Sequence, residues 1–169
     1  MSLNKHQPHV LVIPEDRADE RIANGFIMHS HVMEQRIRIL PPAGGWLKVL
    51  EQFEGTYINY LQKYQAGVVV LLIDFDGDYQ SRRDVFRGKI PEVLMKRVFV
   101  LGALESPEIL RRSLSLQLEQ IGTTLAAECL NQTTELWNHD LLRHNEPDRR
   151  LLANSVREIL FTSSISALP

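Results

Sequence analysis

The segment spanning residues 68–78 constrains the fold more than any other part of the sequence. Six consecutive aliphatic residues, 68–73 (VVVLLI), run without polar alternation into Asp74, Asp76 and Asp78. An uninterrupted apolar run rich in β-branched residues is typical of a central strand in a parallel sheet covered by helices on both faces. In open α/β sheets the ligand crevice lies at the carboxyl ends of the strands, so we expect function at the acids that follow.

Three other segments have the pattern of strands, and segments with helical spacing separate them. The predicted strands are residues 9–13 (HVLVI), 36–40 (RIRIL) and 97–102 (RVFVLG). We expect a helix over residues 17–31, with Asp16 at its N-cap. A second helix follows the pair Gly44-Gly45, and Pro107 suits the first turn of a third. Strands that alternate with helices predict an α/β fold, with a mainly parallel four-stranded sheet flanked by helices.

The last part of the sequence is predicted to be helical. From about Thr123 the helical pattern continues to the end, with a break at residues 145–147 (NEP). We therefore predict an α/β domain over residues 1–122 and a helical C-terminal extension over residues 123–169, packed on the same domain. The last helix carries an apolar stripe, which fits either packing on the sheet or a homodimer.

Composition places the chain among globular proteins and limits its partners. With 169 residues, 44% of them hydrophobic and 24% charged, the chain fits one ordinary globular domain rather than a disordered segment. The net charge of −2 means that nucleic-acid contact must come from a local basic patch. The lone Cys129 favours a packing role and a reducing cytoplasm. No apolar run approaches the roughly 20 residues of a membrane helix, so we expect a cytoplasmic protein without a membrane partner.

Acidic residues follow three of the four predicted strands. Glu15 comes after the first strand, Asp74 and Asp76 after the third, and Glu105 after the fourth. In a parallel sheet these positions converge on one edge. Two carboxylates about 4 Å apart repel by about 4 kcal/mol at an effective dielectric constant near 20, so such a cluster is either protonated or neutralised by a cation. Mg²⁺, or Mn²⁺, is the simplest cation because it takes hard oxygen ligands and leaves positions for phosphate oxygens.

Two features are candidates for binding substrate phosphate. Gly44 and Gly45 stand at a predicted helix start, where backbone N–H groups can approach an anion. Arg82 and Arg83 belong to the most basic local stretch, residues 80–91. Guanidinium groups bind phosphate oxygens in a bidentate manner, which makes both arginines candidate substrate ligands.

In these motifs the sequence resembles the topoisomerase–primase (Toprim) domain family. That family has a glutamate after its first strand, a glycine-containing turn after the second and an Asp-x-Asp motif after the third. Here Glu15 matches the glutamate, with Asp19 four positions on, as in many members. Gly44-Gly45 match the glycine turn, and residues 74–76 (DFD) match the paired aspartates. The resemblance covers about residues 9–105 and implies a Rossmann-like fold.

The Toprim resemblance also implies an activity. Members carry out magnesium-dependent chemistry on nucleic-acid phosphodiesters, which here implies Asp74 and Asp76 as metal ligands and Glu15 as a ligand or general acid/base. The small size of the chain is similar to compact Toprim-like nucleases. Asp16 departs from the family, which usually has glycine directly after the glutamate, and it adds negative charge to the site. The leading hypothesis is therefore a metal-dependent nuclease or phosphodiesterase acting on DNA or RNA.

Three other hypotheses stay open. Residues 73–79 (IDFDGDY) are similar to the first motif of haloacid-dehalogenase-type phosphatases, in which Asp74 would be the nucleophile and Asp76 the acid. That family normally begins at this strand, and its later lysine and acidic motifs have no match here. A phosphoacceptor receiver domain would use Glu15, Asp16 and Asp74, but a suitable lysine after a fifth strand is absent from the sequence. A non-catalytic module would use the same acids for metal or partner contact alone.

Overall fold

The computed structural model describes residues 2–162 and contains one parallel sheet. Its strands are β1 (His9–Pro14), β2 (Ile37–Ile39), β3 (Gly67–Leu72) and β4 (Val98–Leu101), in the order β2-β1-β3-β4. Every pair of neighbouring strands is parallel. The predicted α/β class and all four predicted strands are confirmed. Because β1 and β3 are parallel neighbours, their carboxyl ends lie at the same edge of the sheet.

Seven α-helices flank the sheet between residues 2 and 162. They are α1 (Arg17–Ile27), α2 (Trp46–Gln52), α3 (Ile58–Lys63), α4 (Tyr79–Arg87), α5 (Pro107–Leu114), α6 (Leu118–Asn131) and α7 (Glu146–Leu160). A π-helical turn, Phe53–Tyr57, joins α2 to α3, and short 3₁₀ turns cover Glu34–Arg36, Glu92–Leu94 and Arg143–Asn145. Within residues 2–162, every helix is too short or too polar to cross a membrane.

Both faces of the sheet are buried, which explains the uninterrupted apolar run in β3. Val69 and Leu71 face a core shared with α2, α3 and α4. Val68 and Val70 face a second core shared with α1, α6 and α7. At roughly 1.5–3 kcal/mol per buried aliphatic side chain, burial on both faces stabilises β3 strongly. Its carboxyl end is therefore a rigid support for the acids that follow.

A pair of glycines sets the position of α1 against α6. A methyl group at Gly25 would lie 2.1 Å from the carbonyl oxygen of Glu119, and a methyl group at Gly122 would lie 1.9 Å from that of Ile22. Only glycine permits so close a backbone approach. The hydroxyl of Thr123 also donates to the Gly25 carbonyl oxygen at 2.8 Å. This crossing fixes the rotation of α1, which carries an acid of the site described below.

Two of the predicted helices before residue 123 need correction. The predicted helix over residues 17–31 ends at Ile27, although its N-cap is Asp16 as expected. The pattern beginning at Pro107 divides into two helices because Ser115 adopts a left-handed conformation, with φ of 53°. Two short helices can turn relative to each other, so α6 lies along α1 while α5 does not.

The prediction of continuous helix from Thr123 was wrong over residues 132–142. There α6 ends with Gln132 in a left-handed conformation, and turns lead to α7. The predicted boundary at residues 122/123 lies inside α6, whose start at Leu118 precedes it. Val156 and Leu160 of α7 belong to the core on the sheet, so the last helix is part of the main packing. The predictions for residues 163–169 lie outside the described residues.

Candidate metal centre

Glu15 stands at the end of β1 and is linked by hydrogen bonds to both neighbouring chain segments. Its amide donates to the Leu72 carbonyl oxygen of β3 at 2.9 Å, and its own carbonyl oxygen accepts from the Gly44 amide at 2.8 Å. Its side-chain Oε2 accepts from the amide of Asp74 at 2.7 Å. The strand ends therefore place Glu15 directly beside Asp74, as the parallel sheet predicted.

Asp19 joins them from the first turn of α1. The Asp16 side chain caps this helix by accepting from the Asp19 amide at 3.1 Å. This cap leaves the Asp19 side chain pointing inward, where it is only 1% exposed. Glu15, Asp19 and Asp74 each offer a carboxylate oxygen, and these three oxygens lie within 4.8 Å of one another. We call this group of three side chains the acidic edge.

The acidic edge is electrostatically uncompensated. Oδ2 of Asp19 and Oδ1 of Asp74 are buried and have no hydrogen-bond partner within residues 2–162. Burial, followed by the charge of Glu15, raises the pKa of Asp74 from its ordinary value of 3.8 to about 7. Burial and the charge of Asp74 raise the pKa of Asp19 well above its ordinary range. Burial also raises the pKa of Glu15, against the effect of the hydrogen bond from the Asp74 amide. All three groups resist ionisation in the absence of a cation.

Asp76 lies outside the acidic edge and holds Arg82 instead. It is exposed and adopts a left-handed conformation with φ of 49°, unusual for a residue other than glycine. Nη1 of Arg82 donates to Asp76 Oδ2 and to the Asp74 carbonyl oxygen, both at 2.6 Å. The guanidinium lies 4.4 Å from the ring centre of Trp46. Asp76 therefore fixes a cation at the border of the acidic edge rather than adding a fourth carboxylate to it.

The Gly44-Gly45 turn binds the backbone of Glu15 and leaves the Gly44 amide without a role in binding an anion. Gly44 and Gly45 have φ of 96° and 147°, which only glycine adopts without strain. The Gly44 amide donates to the Glu15 carbonyl oxygen, so this amide is not free for a phosphate. The turn brings Lys48 close, since a methyl group at Gly44 would lie 3.6 Å from its Cδ. Lys48 is therefore a cation next to this turn, and no sequence pattern pointed to it.

Two other predicted site residues have different neighbours. Nε of Arg83 lies 3.1 Å from Asp148 Oδ2 of α7, and Nη1 of Arg87 lies 3.6 Å from Oδ1 of the same carboxylate. We call these three residues the α4–α7 ion triad. Glu105 is not brought into the acidic edge: its carboxylate lies beside Gly77, where a methyl group would be 3.2 Å from Oε1.

Asp19 is the site residue that sequence patterns alone undervalue. An aspartate in the first turn of a helix is ordinarily a partner of the helix dipole. The informative signal was its position four residues after Glu15, which the Toprim resemblance picks out. Trp46 is a large aromatic residue of the kind that usually only anchors packing. Its ring packs on Phe86 and also on the guanidinium of Arg82.

The acidic edge fits a divalent cation on the chemistry of its donors. Three carboxylate oxygens are the hard ligands that Mg²⁺ and Mn²⁺ take. Two of these side chains carry buried oxygens that no donor in the described part of the chain satisfies, and such atoms are costly unless a cation or proton binds them. Comparison of the chain with protein-family models, with curated proteins and with solved structures finds no match.

Proposed function

We propose that this protein is a Mg²⁺- or Mn²⁺-dependent phosphodiesterase that acts on nucleic acid, in the manner of a compact Toprim-like nuclease. The observation that carries the proposal is the acidic edge itself. Glu15, Asp19 and Asp74 come together at the carboxyl edge of the sheet, and two of them carry unpartnered buried oxygens. A divalent cation would neutralise all three at once.

The residues of the acidic edge would hold the metal, and the bound metal would supply charge neutralisation at a phosphate and an activated water. Glu15 is the most open of the three, since it is half-buried while Asp19 and Asp74 are buried. Glu15 would therefore be the metal-holding residue that a substrate can reach, whereas Asp19 and Asp74 would hold the metal from within the fold. The hydrogen bond from the Asp74 amide orients the Glu15 carboxylate.

Arg82 supplies the second positive charge for a phosphate. Its Nη1 is committed to Asp76 and to the Asp74 carbonyl oxygen, whereas Nε and Nη2 make no hydrogen bond within residues 2–162. A guanidinium held in this way keeps donors for an anionic oxygen and needs little reorganisation on binding. In this proposal Asp76, which the sequence suggested as a metal ligand, positions Arg82.

The choice of nucleic acid as substrate rests on the order of the Toprim motifs. A phosphatase with Asp74 as nucleophile fits less well, because Oδ1 of Asp74 is buried and Arg82 occupies Oδ2 of Asp76. A closed metal site without turnover is a second candidate, which the burial of Asp19 and Asp74 favours. The cytoplasmic location and the homodimer stay predictions.

The test combines metal binding with cleavage. Titration calorimetry with Mg²⁺ and Mn²⁺ is carried out on wild type, on Asp19→Asn and on the control Asp140→Asn, whose carboxylate is exposed and distant in the sequence from the acidic edge. Single- and double-stranded DNA and RNA are followed for cleavage in parallel. We expect binding and cleavage in wild type and control, and loss of both in Asp19→Asn. Binding without cleavage would select the closed metal site, and absence of binding would contradict both candidates.

A further inference from the structure

The cavity between α6, α7 and the turns that join them has the features of a second binding site, independent of the acidic edge. Its volume is about 270 Å³, and Arg149, Arg150 and Arg157 line it together with Trp137. A neighbouring cavity of about 110 Å³ lies between the sheet and helices α1 and α7 and is lined by apolar side chains alone. The two cavities share walls formed by Leu125, Trp137 and Val156.

The outer cavity is cationic although the whole chain has a net charge of −2. Arg149 is half-buried and makes no ion pair or hydrogen bond within residues 2–162. Arg157 uses Nε to donate to the Cys129 carbonyl oxygen at 3.0 Å, which leaves its terminal nitrogens for another partner. Within residues 2–162, Arg150 is the only one of the three arginines with a carboxylate partner, Glu146. Two half-buried guanidinium groups with free donors beside an apolar wall are suited to bind an anionic group.

The one acid in the wall of the outer cavity does not neutralise these arginines. Glu128 is 6% exposed, and its two carboxylate oxygens accept from the amides of Leu136, at 2.8 Å, and Trp137, at 3.3 Å. Its role is therefore to hold the turns that carry Trp137 over the cavity. Burial raises the pKa of the Cys129 thiol, and Arg157 and Arg149 are close enough to act against that rise. Both cations therefore lie near the same end of the cavity.

The inner cavity is suited to hydrocarbon. Every residue that lines it is apolar, and an apolar space of this size is comparable to one that binds a benzene ring. Together the two cavities reach the lower end of the range for small-molecule sites, roughly 300–1,000 Å³. A molecule that fills both must have a charged group at one end and an apolar group at the other.

We propose that this protein binds an anionic amphiphile, a hydrocarbon chain that carries a carboxylate or a phosphate. The head group lies against Arg149 and Arg157 in the outer cavity, and the chain passes Trp137 into the inner one. Guanidinium groups bind either head through paired N–H donors, so the shared chemistry is that of an oxyanion on a short apolar chain. The site rests on residues that the acidic edge does not use.

The test uses decanoate, decyl phosphate and the uncharged decanol on the full chain, below their aggregation concentrations. Binding is read from the fluorescence of Trp137 in a Trp46→Phe background, which leaves one tryptophan. The second readout is alkylation of Cys129, the only cysteine, by N-ethylmaleimide. We expect saturable binding of at least one anionic probe, binding about tenfold weaker for decanol, and slower alkylation when the site is filled. The ratio of decanoate to decyl phosphate affinity distinguishes the two head groups.

Arg149→Ala is the variant that tests the head group, with Arg112→Ala of α5 as the matched control. Arg112 is exposed and does not line either cavity. We expect about tenfold weaker binding of the anionic probes in Arg149→Ala and no change in the control. Arg157→Gln provides a second variant with the same expectation. Equal binding of decanol and the anions, unchanged affinity in both variants, or an unprotected Cys129 would each overturn the proposal, as would the absence of saturable binding.

Discussion

The acidic edge and the α4–α7 ion triad both contain a buried carboxylate, but only the triad pairs its carboxylate with cations. Asp148 of the triad is 7% exposed, yet Arg83 and Arg87 both approach it. Asp74 of the acidic edge is similarly buried, at 8%, and the charges that raise the pKa of its carboxyl group are those of other acids. Burial of an acid is therefore not in itself a sign of function. The informative feature is a buried acid that the protein leaves unneutralised.

Two consecutive arginines divide between these regions. Arg82 turns to Asp76 and the Asp74 carbonyl oxygen, whereas Arg83 turns to Asp148. Neighbouring residues on a helix point about 100° apart, so α4 presents one cation to each region. We expect substitutions in the acidic edge to change activity with little loss of stability, and substitutions in the triad to do the reverse.

The largest expected effect is the loss of cleavage in Asp74→Asn. An amide removes one negative ligand at a site that depends on charge, so we expect turnover to fall by about a thousandfold, which corresponds to about 4 kcal/mol of activation free energy. Single-turnover cleavage at saturating Mg²⁺ measures it. Asp148→Asn is the matched substitution in the triad and should keep most of its activity while it remains folded. Equal losses in the two variants would remove the distinction between the regions.

The second-largest expected effect is a loss of stability when the α4–α7 ion triad is broken. Asp148→Ala leaves Arg83 partly buried without its carboxylate, and we expect a loss of roughly 3 kcal/mol, at the low end for a broken buried pair because Arg87 is partly exposed. Urea unfolding at fixed pH measures the free energy of unfolding. The increase in the free energy of unfolding on addition of Mg²⁺ should be the same in Asp148→Ala as in wild type. A stability unchanged by Asp148→Ala would show that the triad is not a structural contact.

The positions of the acids at the strand ends could be predicted from the sequence. Which of the buried acids are paired with an arginine, and which are left without a cation, could not. The apolar run in β3 and the acids after β1 and β3 were enough to place Glu15 beside Asp74, because parallel strands end at one edge. The inward direction of Asp19 depends on the rotation of α1, which Gly25 and Gly122 set by contact across about 100 residues of sequence. No local pattern contains that information.

The same limit applies to the two arginines. A basic stretch at residues 80–91 predicted that Arg82 and Arg83 would act together on phosphate. The difference between them arises because the first turn of α7 brings Asp148 to Arg83. The turns at residues 132–142, which the helical pattern did not predict, set where α7 starts. Long-range packing therefore decides which cation stays with the acidic edge.

The third prediction concerns pH in protein treated with a chelator. The folded-state pKa of Asp74 is about 7, above its ordinary value of 3.8, so the folded state retains a proton that the unfolded state has lost. Stability is therefore greatest below pH 4 for this group and falls as the pH rises from about 4 to about 7. Because Asp74 titrates together with the acids beside it, we expect a loss of roughly 1–2 kcal/mol, less than an isolated group with this shift would give.

The difference between wild type and Asp74→Asn isolates this contribution from those of other groups. Urea unfolding at several pH values should give a free-energy difference that grows in favour of the variant up to about pH 7 and then levels. Saturating Mg²⁺ at pH 8 should remove the advantage of the variant, because the cation compensates the charge of wild type. A pH-independent difference would mean that Asp74 is already neutralised within the fold.

The smallest expected effect comes from the aromatic ring over Arg82. Trp46→Leu removes a cation–π contact at 4.4 Å, and we expect about a fivefold loss of cleavage, equivalent to about 1 kcal/mol. Trp46→Phe keeps a ring and should lose less. Tyr79, whose ring centre is 5.9 Å from Arg83, provides the matched contact in the other region, and Tyr79→Leu should leave the rate of cleavage unchanged. Each rate is compared at equal folded fraction. If Tyr79→Leu slowed cleavage as much as Trp46→Leu, the two arginines would not serve separate regions.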